Sequence, residues 1–424
     1  PLALLRSSRA RTALLGLGWS VLLCLHAALL QYHWVAGVPL GADLFAYSGA
    51  EVRATVAGGG AFSPLLAIAL GLALAVLWTL LLVQERFGWP QLDRRGVLAL
   101  LAASMLAFAL LPGQFAPRIV RSDAELNFVV NKSAWFGERS LAWLAGGQAP
   151  QAAPSTEETA RAPWEGTDAR YPFLRPERTP DTLGPLFGQG KGTPPNLVFI
   201  IVEGLGRTFS GPGARLGSFT PFLDELAGRS LYFENFLAPQ GRTFGVLTSV
   251  FGSLPFGENG LAALGERIPR HASLPSVLKA QGYATRFYTG SNVEFDNEAQ
   301  VLRAMGVDDI VSERDFGASY ERANEWGYGD RDLMRIVLER DRGLGADPSL
   351  TIVQTSGMHN PFTFPGLPAY RARVERRVAE LNLAPAPVYR DGRDIFASIL
   401  YLDDALRMFF EQAGSLPGYA DTIF

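Results

Sequence analysis

The sequence has few of the residues that form disulfides or bind transition metals: one cysteine, Cys24, and four histidines among 424 residues. A single cysteine excludes a disulfide framework and a metal site made of thiolates. The formal net charge is −3 and no basic cluster stands out, so no feature of the charge favours binding to nucleic acid. What is abundant is apolar: 48% of the residues are hydrophobic, which is high for a soluble enzyme and points to membrane spans.

Three apolar runs predict membrane helices, at residues 12–30, 62–83 and 97–111. The first two are long enough for a bilayer core, which needs about 20 apolar residues, whereas the third is short enough for a buried or re-entrant helix. Arginines precede the first run and lie between the second and third: Arg6, Arg9, Arg11, Arg86, Arg94 and Arg95. By the positive-inside rule, the N-terminus is cytoplasmic and everything after residue 111 lies outside. A cleaved signal peptide is the alternative for the first run, but it leaves the later runs unexplained.

Three regions follow from the composition: a transmembrane part with three spans at residues 1–115, an interfacial helix and linker at 116–195, and an α/β domain at 196–424. Residues 123–144 mix aromatics with charges, which predicts a helix on the outer membrane surface; packing on the α/β domain is an equal alternative. Residues 146–163 are rich in Ala, Pro, Gly and Thr without a period and predict a linker.

In the third region, strand and helix patterns alternate. Strands are predicted at residues 197–202, 231–236, 284–288 and 350–354, with one beginning at 422. Helices are predicted at 221–228, with Thr220 as N-cap, and at 244–251, 274–281, 297–305, 331–341 and 393–412. This alternation predicts a mainly parallel sheet sandwiched between helices.

Glu203 and Thr243 are the first candidates for chemistry. Residues 197–202 are an unbroken apolar run, and Glu203 follows it, where parallel sheets place ligands, so it is a candidate metal ligand. Thr243 precedes a helical run, where an anion would be favoured beside its hydroxyl. A threonine hydroxyl is a weak nucleophile unless a metal or a base activates it. The alternative from spacing alone is that Glu203 caps a loop and Thr243 caps a helix.

Several ordered blocks carry a resemblance: PNLVFIIVEGLG, TPFLDELAGRSLYFENF, QGRT, TSGMHNPFTFP and YLDDALRMFF. Together they resemble the alkaline phosphatase/sulfatase superfamily, and within it the lipoteichoic acid synthase branch of membrane-anchored phosphoglycerol transferases. The resemblance implies a sulfatase-like catalytic domain over residues 196–424. It also implies that Glu203 is a metal ligand and that Thr243 is both a metal ligand and the nucleophile that becomes phosphoglycerylated. His359 matches the histidine that helps to bind the substrate, and Arg242 would pair with phosphate oxygens.

Two departures from that family stand out. The family completes its metal site with an adjacent Asp-His pair, but beyond the membrane part only His271 and His359 occur, and neither follows an aspartate. The strand leading to that pair is predicted to start at Thr422, so we expect the chain to be a fragment and the pair to follow Phe424. The Gram-positive enzymes also carry a His, a Trp and an Arg in their glycerol-phosphate pocket; at those spacings stand Thr289, Asp296 and Glu298, a version closer to Gram-negative relatives that modify periplasmic glucans.

The resulting hypothesis is a membrane-anchored transferase that depends on a divalent metal, Mn²⁺ first and Zn²⁺ or Mg²⁺ as alternatives. Thr243 takes phosphoglycerol from an anionic phospholipid, phosphatidylglycerol in the first instance, and an envelope glycan or polymer accepts it on the periplasmic or extracellular side. Two alternatives stay open: a sulfatase-like hydrolase or phosphodiesterase with water as acceptor, and an inactive membrane scaffold of the same fold. A true sulfatase is disfavoured, because Thr243 stands where a sulfatase has Cys or Ser.

Overall fold

The computed structural model describes residues 8–36, 39–45, 49–58, 63–87, 130–145, 179–186, 194–239, 243–254, 268, 271–340, 348–383 and 386–424. Three predicted features lie outside these residues: the third span at 97–111, the linker at 146–163, and Arg242. The chain divides into two compact units, residues 1–48 with 59–156 and residues 49–58 with 157–424, and each is described by itself.

Two long apolar helices dominate the first unit: α1, Ser8–Ala36, and α3, Pro64–Phe87, with the short helix α2, Gly49–Gly58, between them in sequence. Both long helices are long and apolar enough to cross a membrane, over Thr12–Ala36 and Pro64–Arg86. They run antiparallel and touch where Trp78 Nε1 donates to Ser20 Oγ at 3.1 Å. A Cβ on Gly16 would lie 2.7 Å from the Trp78 ring, so glycine is what lets the helices approach there.

The described part of the predicted interfacial helix is α4, Lys132–Leu144. Asn131 caps it by accepting hydrogen bonds from the Ser133 and Ala134 backbone amides. The Ser133 hydroxyl lies 2.7 Å from Nδ1 of His26 on α1, so this histidine of an apolar helix has a polar partner on a neighbouring helix. Leu141, Trp143 and Leu144, in the last turn of α4, remain exposed.

The second unit is built on a five-stranded, all-parallel sheet in the order β3-β2-β6-β1-β7. Its strands are β1 Asn196–Ile201, β2 Ala284–Thr289, β3 Asp309–Val311, β6 Ser349–Gln354 and β7 Thr422–Ile423; β4 Arg322–Asn324 and β5 Gly327–Tyr328 form a separate antiparallel ribbon. Central β6 is buried throughout, whereas β1, whose unbroken apolar run predicts a strand buried on both faces, is covered only in part. The register aligns Ile201, Gln354 and Thr289, so three adjacent strands end at one level.

Helices cover both faces of the sheet, as predicted. They are α5 Pro221–Ala227, α6 Val246–Gly252, α7 Leu274–Ala280, α8 Glu298–Ala304, α9 Asp330–Arg340, α10 Leu367–Glu380, α11 Pro387–Asp391 and α12 Arg393–Ala413. Neighbouring strand residues point to opposite sides, as a pleated strand requires. Phe287 and Ile352 join a core with α6, α7 and α8, and Tyr288 and Val353 join a second core with α9, α10 and α12.

One predicted strand is wrong. Residues 231–236 form no strand in the structure, and their apolar side chains are exposed, with Phe236 78% accessible. The run has the aromatic composition of a strand, but composition supplies no partner for its backbone amides and carbonyls, and no described strand pairs with it. The pattern also missed α10, a largely polar helix that begins after Gly366.

The start of α5 is held from outside the helix. Thr220 precedes it as predicted, yet its hydroxyl makes no capping bond and contacts the Ser210 and Ser218 hydroxyls instead. The capping acceptor is Asp403 of α12, which takes the Phe222 amide at 2.8 Å and the Leu223 amide at 2.9 Å. Asp403 is 1% exposed, so it joins two elements far apart in sequence by two buried hydrogen bonds.

Replacing Asp403 with alanine should lower the free energy of unfolding by about 2–5 kcal/mol, because two buried amides lose their acceptor. Thermal or denaturant unfolding of the detergent-purified chain measures the change. The control is Asp391→Ala, which removes an exposed ion pair with Arg390 and should change the stability by less than about 1 kcal/mol. Equal stability of the two variants would contradict the capping role.

Candidate active site

The candidate site lies at the carboxyl edge of the parallel sheet. Glu203 follows β1, His359 follows β6, and Glu298 follows β2, and these three strands are adjacent. Because parallel strands present all their carboxyl ends at one edge, residues more than 150 positions apart in the sequence converge there. The prediction that placed Glu203 and His359 at strand tips therefore agrees with the structure.

Glu203 and Thr243 are in direct contact. The Thr243 hydroxyl donates to Glu203 Oε1 at 2.6 Å, which is the length of a charge-assisted hydrogen bond from a hydroxyl to a carboxylate. Thr243 opens a single 3₁₀ turn, Thr243–Gly245, that leads into α6. Both side chains are partly exposed, so the pair is reachable from solvent.

The backbone around Glu203 is tied to β6. The Glu203 amide donates to Thr355 Oγ1 at 3.0 Å, and the Thr355 amide continues the β1–β6 pairing by donating to the Ile201 carbonyl at 3.0 Å. Gly204 has φ +67°, and a Cβ there would lie 3.3 Å from the Met358 carbonyl. The turn after β1 is therefore packed against the loop that carries His359.

Asp330, at the start of α9, fixes the loop after β6 by hydrogen bonds to its backbone. Its Oδ1 accepts the Ser356 and Gly357 amides, both at 3.1 Å, and the residue is fully buried. A Cβ on Gly357 would lie 2.2 Å from Asp330 Oδ2, so only glycine fits this approach. Burial raises the pKa of Asp330 to about 6, and repulsion from Glu203 contributes in the same direction.

His359 has a defined orientation. Its Nδ1 lies 2.7 Å from the Asn360 carbonyl oxygen, and because a carbonyl only accepts, Nδ1 carries the proton. Trp326 Nε1 donates to the same oxygen at 3.0 Å, and the two rings lie 4.5 Å apart. Phe295 packs edge-on against Trp326 at 5.6 Å. The remaining ring nitrogen, Nε2, is thus the atom that His359 can offer to a ligand.

The segment that carries Trp326 is fixed by a close backbone contact. A Cβ on Gly290 would lie 2.5 Å from the Tyr328 carbonyl oxygen, and one on Gly327, at φ +136°, would lie 2.1 Å from the Gly290 carbonyl oxygen. The loop after β2 and the ribbon of β4 and β5 therefore touch through their main chains. The structure gives Trp326 a role that the sequence did not assign: it supports His359.

Carboxyl groups line the side of the site formed by β2 and α8. Glu298 Oε1 accepts from Gln354 Nε2 at 2.9 Å. Loss of water around the Glu298 carboxyl group raises its pKa to about 7; the bond from Gln354 opposes the shift, and repulsion from Asp296 and Glu203 adds to it. Thr289, by contrast, is buried, and its hydroxyl accepts the Ser291 amide. Glu298 therefore lies at the carboxyl edge of the sheet and feels the charge of Glu203, whereas Thr289 belongs to the sheet itself.

Sequence reasoning missed Gln354 and Thr355. Both follow the apolar part of β6 as Glu203 follows β1, so the strand-tip rule that found Glu203 also covers them. The pattern predicts Gln354 only as the last residue of a strand. Thr355 lacks the negative charge that marks Glu203 as a candidate metal ligand. Arg242 lies outside the described residues.

The donor atoms fit part of a metal site. A carboxylate and a hydroxyl oxygen in contact are ligands of the kind that Mg²⁺ or Mn²⁺ accepts. Among the described residues, no group of three or more His, Cys, Asp or Glu side chains is placed to hold a metal ion. Glu203 and Thr243 thus supply two ligands, and further ligands are needed to complete a coordination shell.

The native state should lose stability as the pH rises from about 4 to 7. The pKa values of Asp330 and Asp403 are raised to about 6 and that of Glu298 to about 7, so between these pH values the folded chain binds more protons than the unfolded one. Asp394 and Asp404 have lowered pKa values, and their contribution is lost only below about pH 4. Thermal unfolding with a chelator present, at pH steps from 4 to 8, measures the trend. A stability that rises over this range would contradict it.

Comparison with known proteins places this site in a family. The Sulfatase family model matches residues 195–424, which is more than half of the chain, so the chain belongs to the sulfatase family. Among curated proteins, it is 28% identical over 148 residues to phosphoglycerol transferase I of Salmonella choleraesuis strain SC-B67, a match that covers 33% of this chain and 19% of the relative. The chain thus spans about a fifth of the length of the curated relatives it matches.

Two solved structures are similar to the α/β unit. One is a protein of the alkaline phosphatase superfamily from Vibrio parahaemolyticus, with 26% identity, a TM-score of 0.45, and coverage of 55% of this chain and 53% of that one. The other is the lipoteichoic acid synthase LtaP from Listeria monocytogenes, with 18% identity, a TM-score of 0.44, and 54% of each chain covered. The recognised superfamily is therefore confirmed by the family match.

Proposed function

We propose that the protein is a membrane-anchored transferase that moves phosphoglycerol from an anionic phospholipid to an envelope glycan or polymer through a phosphothreonine intermediate. The observation that carries the proposal is the 2.6 Å contact between the Thr243 hydroxyl and Glu203 at the tip of β1. A hydroxyl that already donates to a carboxylate has an acceptor for the proton it must lose to become a nucleophile.

In the first step, Thr243 Oγ attacks the phosphorus of the lipid headgroup. The new oxygen–phosphorus bond forms as the bond from phosphorus to the diacylglycerol oxygen breaks, and that oxygen leaves with the electron pair and takes up a proton. In the second step, an acceptor hydroxyl attacks the same phosphorus, and Thr243 Oγ leaves and regains its proton. Because each step displaces one oxygen by another, no oxidant or reductant is required.

The other site residues orient the substrate. His359 Nε2 belongs to a ring that is fixed through Nδ1 and supported by Trp326, so it is suited to binding a phosphate oxygen or to exchanging a proton with one. Arg242, beside the nucleophile in sequence, is proposed to pair with phosphate oxygens. A divalent cation, Mn²⁺ first and Zn²⁺ or Mg²⁺ as alternatives, would be held by Glu203 and Thr243 and would acidify the hydroxyl and polarise the phosphate.

Anchoring follows from the donor. A phospholipid stays in the bilayer, so an enzyme with two helices apolar enough to span a membrane remains next to it. We place residues 1–115 in the membrane as several spans, residues 116–195 at its outer surface, and residues 196–424 in the periplasmic or extracellular space. This orientation is the one favoured by the arginines that precede the first apolar run and by those between the second and the third.

The test is to incubate the detergent-purified chain with phosphatidylglycerol labelled in the headgroup glycerol, with Mn²⁺ and with a chelator in parallel. We expect a labelled covalent adduct that maps to the peptide containing Thr243 and that is discharged when a glycan acceptor is added. Discharge to water at the same rate without the glycan would favour a hydrolase. Absence of any adduct at Thr243 would remove the proposal.

A further inference from the structure

Asp330 is a buried carboxyl group whose surroundings do not compensate its charge. It is fully buried, and among the described residues no cationic side chain acts on it. Its hydrogen bonds come from the Ser356 and Gly357 amides to Oδ1, whereas Oδ2 has no hydrogen-bond partner in the described part of the chain. Burying a carboxyl group without a cation is costly, so its presence here indicates a role beyond packing.

The two amides bound by this carboxyl group lie between two contacts of the loop after β6. At one end of the loop, the Thr355 hydroxyl accepts a hydrogen bond from the Glu203 amide at 3.0 Å. At the other end, the His359 amide donates to the Ser356 carbonyl at 3.2 Å, which closes a turn over residues 356–359. Whatever fixes the two amides between these contacts therefore fixes the position of His359 relative to Glu203.

The carboxyl group and the loop fit together without spare room. A Cβ on Gly357 would lie 2.2 Å from Asp330 Oδ2, so any side chain there must displace the carboxyl group. The start of α9 is itself held from α12, because the Arg331 amide donates to the Tyr401 hydroxyl at 3.3 Å. A Cβ on Gly329 would lie 2.6 Å from the same hydroxyl oxygen. Asp330 is therefore fixed to α12 on one side and to the loop after β6 on the other.

We propose that Asp330 is a positioning residue for the proposed reaction: by holding the loop after β6 through two amides, it sets the place and the tautomer of the His359 ring. His359 Nδ1 donates to the Asn360 carbonyl at 2.7 Å, and this bond depends on the path of the turn that carries both residues. While the turn is held, Nε2 carries no proton. The inference rests on the proposed function for what His359 does, but the state of the ring is measurable without any reaction.

The first experiment measures the tautomer of His359 by NMR of the detergent-purified chain, labelled with ¹⁵N-histidine and without a histidine tag. The chain has four histidines, so the loss of one set of signals in His359→Gln assigns the residue. At alkaline pH we expect Nδ1 to carry the proton in the wild-type chain. Asp330→Asn should preserve this state, because the asparagine side-chain oxygen can still accept both amides. Asp330→Ala should convert His359 to a mixture of the two tautomers.

Asp403→Ala is the matched control for this experiment. Asp403 is also a buried carboxyl group that accepts two backbone amides, but it holds α5 and not the loop of His359. Its alanine variant should lose stability as Asp330→Ala does and should leave the tautomer of His359 unchanged. A tautomer that stays the same in Asp330→Ala, or that changes equally in Asp403→Ala, would overturn the inference.

Gly357→Ala tests the same contact from the side of the loop, and it replaces Asp330→Ala should that variant fail to fold. Its methyl group meets the carboxyl group, so it should also disturb the tautomer of His359. Adding Asp330→Ala removes the obstacle, so the double variant should be no less stable than Gly357→Ala alone. A less stable double variant, or a wild-type tautomer in Gly357→Ala, would contradict the contact on which the inference depends.

The second readout is the rate of adduct formation on Thr243 from phosphatidylglycerol. Asp330→Ala should lower this rate by about tenfold or more, because a small misplacement of a group beside the reacting atoms is costly. In the His359→Gln background the same substitution should cost less than about threefold, since Asp330 acts through His359. Equal losses in both backgrounds would overturn the positioning role. If the wild-type chain forms no adduct, the proposed function fails and the tautomer measurement still decides the inference.

Discussion

Replacing Thr243 with alanine should abolish the covalent intermediate and reduce lipid turnover by at least about ten thousandfold, as removal of a nucleophile does in other covalent enzymes. The physical reason is that the Thr243 hydroxyl, in contact with Glu203 at 2.6 Å, is the oxygen we propose attacks phosphorus. The measurement is release of diacylglycerol from labelled phosphatidylglycerol, together with mass analysis of the intact chain.

Thr243→Ser is the informative partner of that variant. It keeps the hydroxyl and loses a methyl group, so it should retain the adduct at a reduced rate. Thr248→Ala controls for loss of a nearby hydroxyl, because the Thr248 side chain is buried in α6 and bonds only to the Gly245 carbonyl. An alanine variant at 243 that turns over lipid as fast as the serine variant would show that the nucleophile lies elsewhere.

Replacing Glu203 with glutamine should lower the rate of adduct formation by at least about a hundredfold and weaken its dependence on Mn²⁺. Glutamine keeps the size of the side chain and an oxygen that can accept from Thr243. It removes the negative charge that a cation needs. It also removes the base, because a neutral amide oxygen accepts a hydrogen bond but does not take up the proton that Thr243 must lose. A titration of activity against Mn²⁺ concentration distinguishes the two losses, since a weakened metal site moves the midpoint and a lost base lowers the plateau.

Glu411→Gln is the control for Glu203→Gln, because Glu411 is an exposed residue of α12 and the same charge is removed. It should leave both the midpoint and the plateau unchanged. Should Glu203→Gln match this control, the tip of β1 would not be the reactive centre, and the contact with Thr243 would be structural only.

The sequence was enough to predict the class of fold and to single out Glu203 and Thr243, which the structure brings into contact. Glu203 is found by local pattern alone, because an apolar run that ends in a carboxylate and glycines specifies a strand tip in a parallel sheet. The helices α9 and α12 are also predicted to within a residue or two, since their apolar faces repeat over several turns. In these cases the information lies within the segment itself.

What could not be predicted depends on contacts between distant segments. Residues 231–236 have the composition of a strand, yet the structure gives their backbone no pairing strand. Asp403 caps α5 from a position 181 residues away, and Asp330 holds the loop of His359 from another helix. Local propensity carries no information about such partners. The roles of Gln354 and Trp326 depend on the same kind of contact, because each is defined by the side chain that lies against it.

The main-chain contact between Gly290 and Gly327 has a consequence for comparing or recombining relatives of this protein. Two stretches that meet without room for a single Cβ must be exchanged together, because a loop taken from another member brings its own path and its own side chains. A chimera that transplants only the segment with Trp326, or only the turn after β2, is expected to lose the main-chain contact between these two segments. We therefore expect the turn after β2 and the segment that places Trp326 against His359 to change together among relatives.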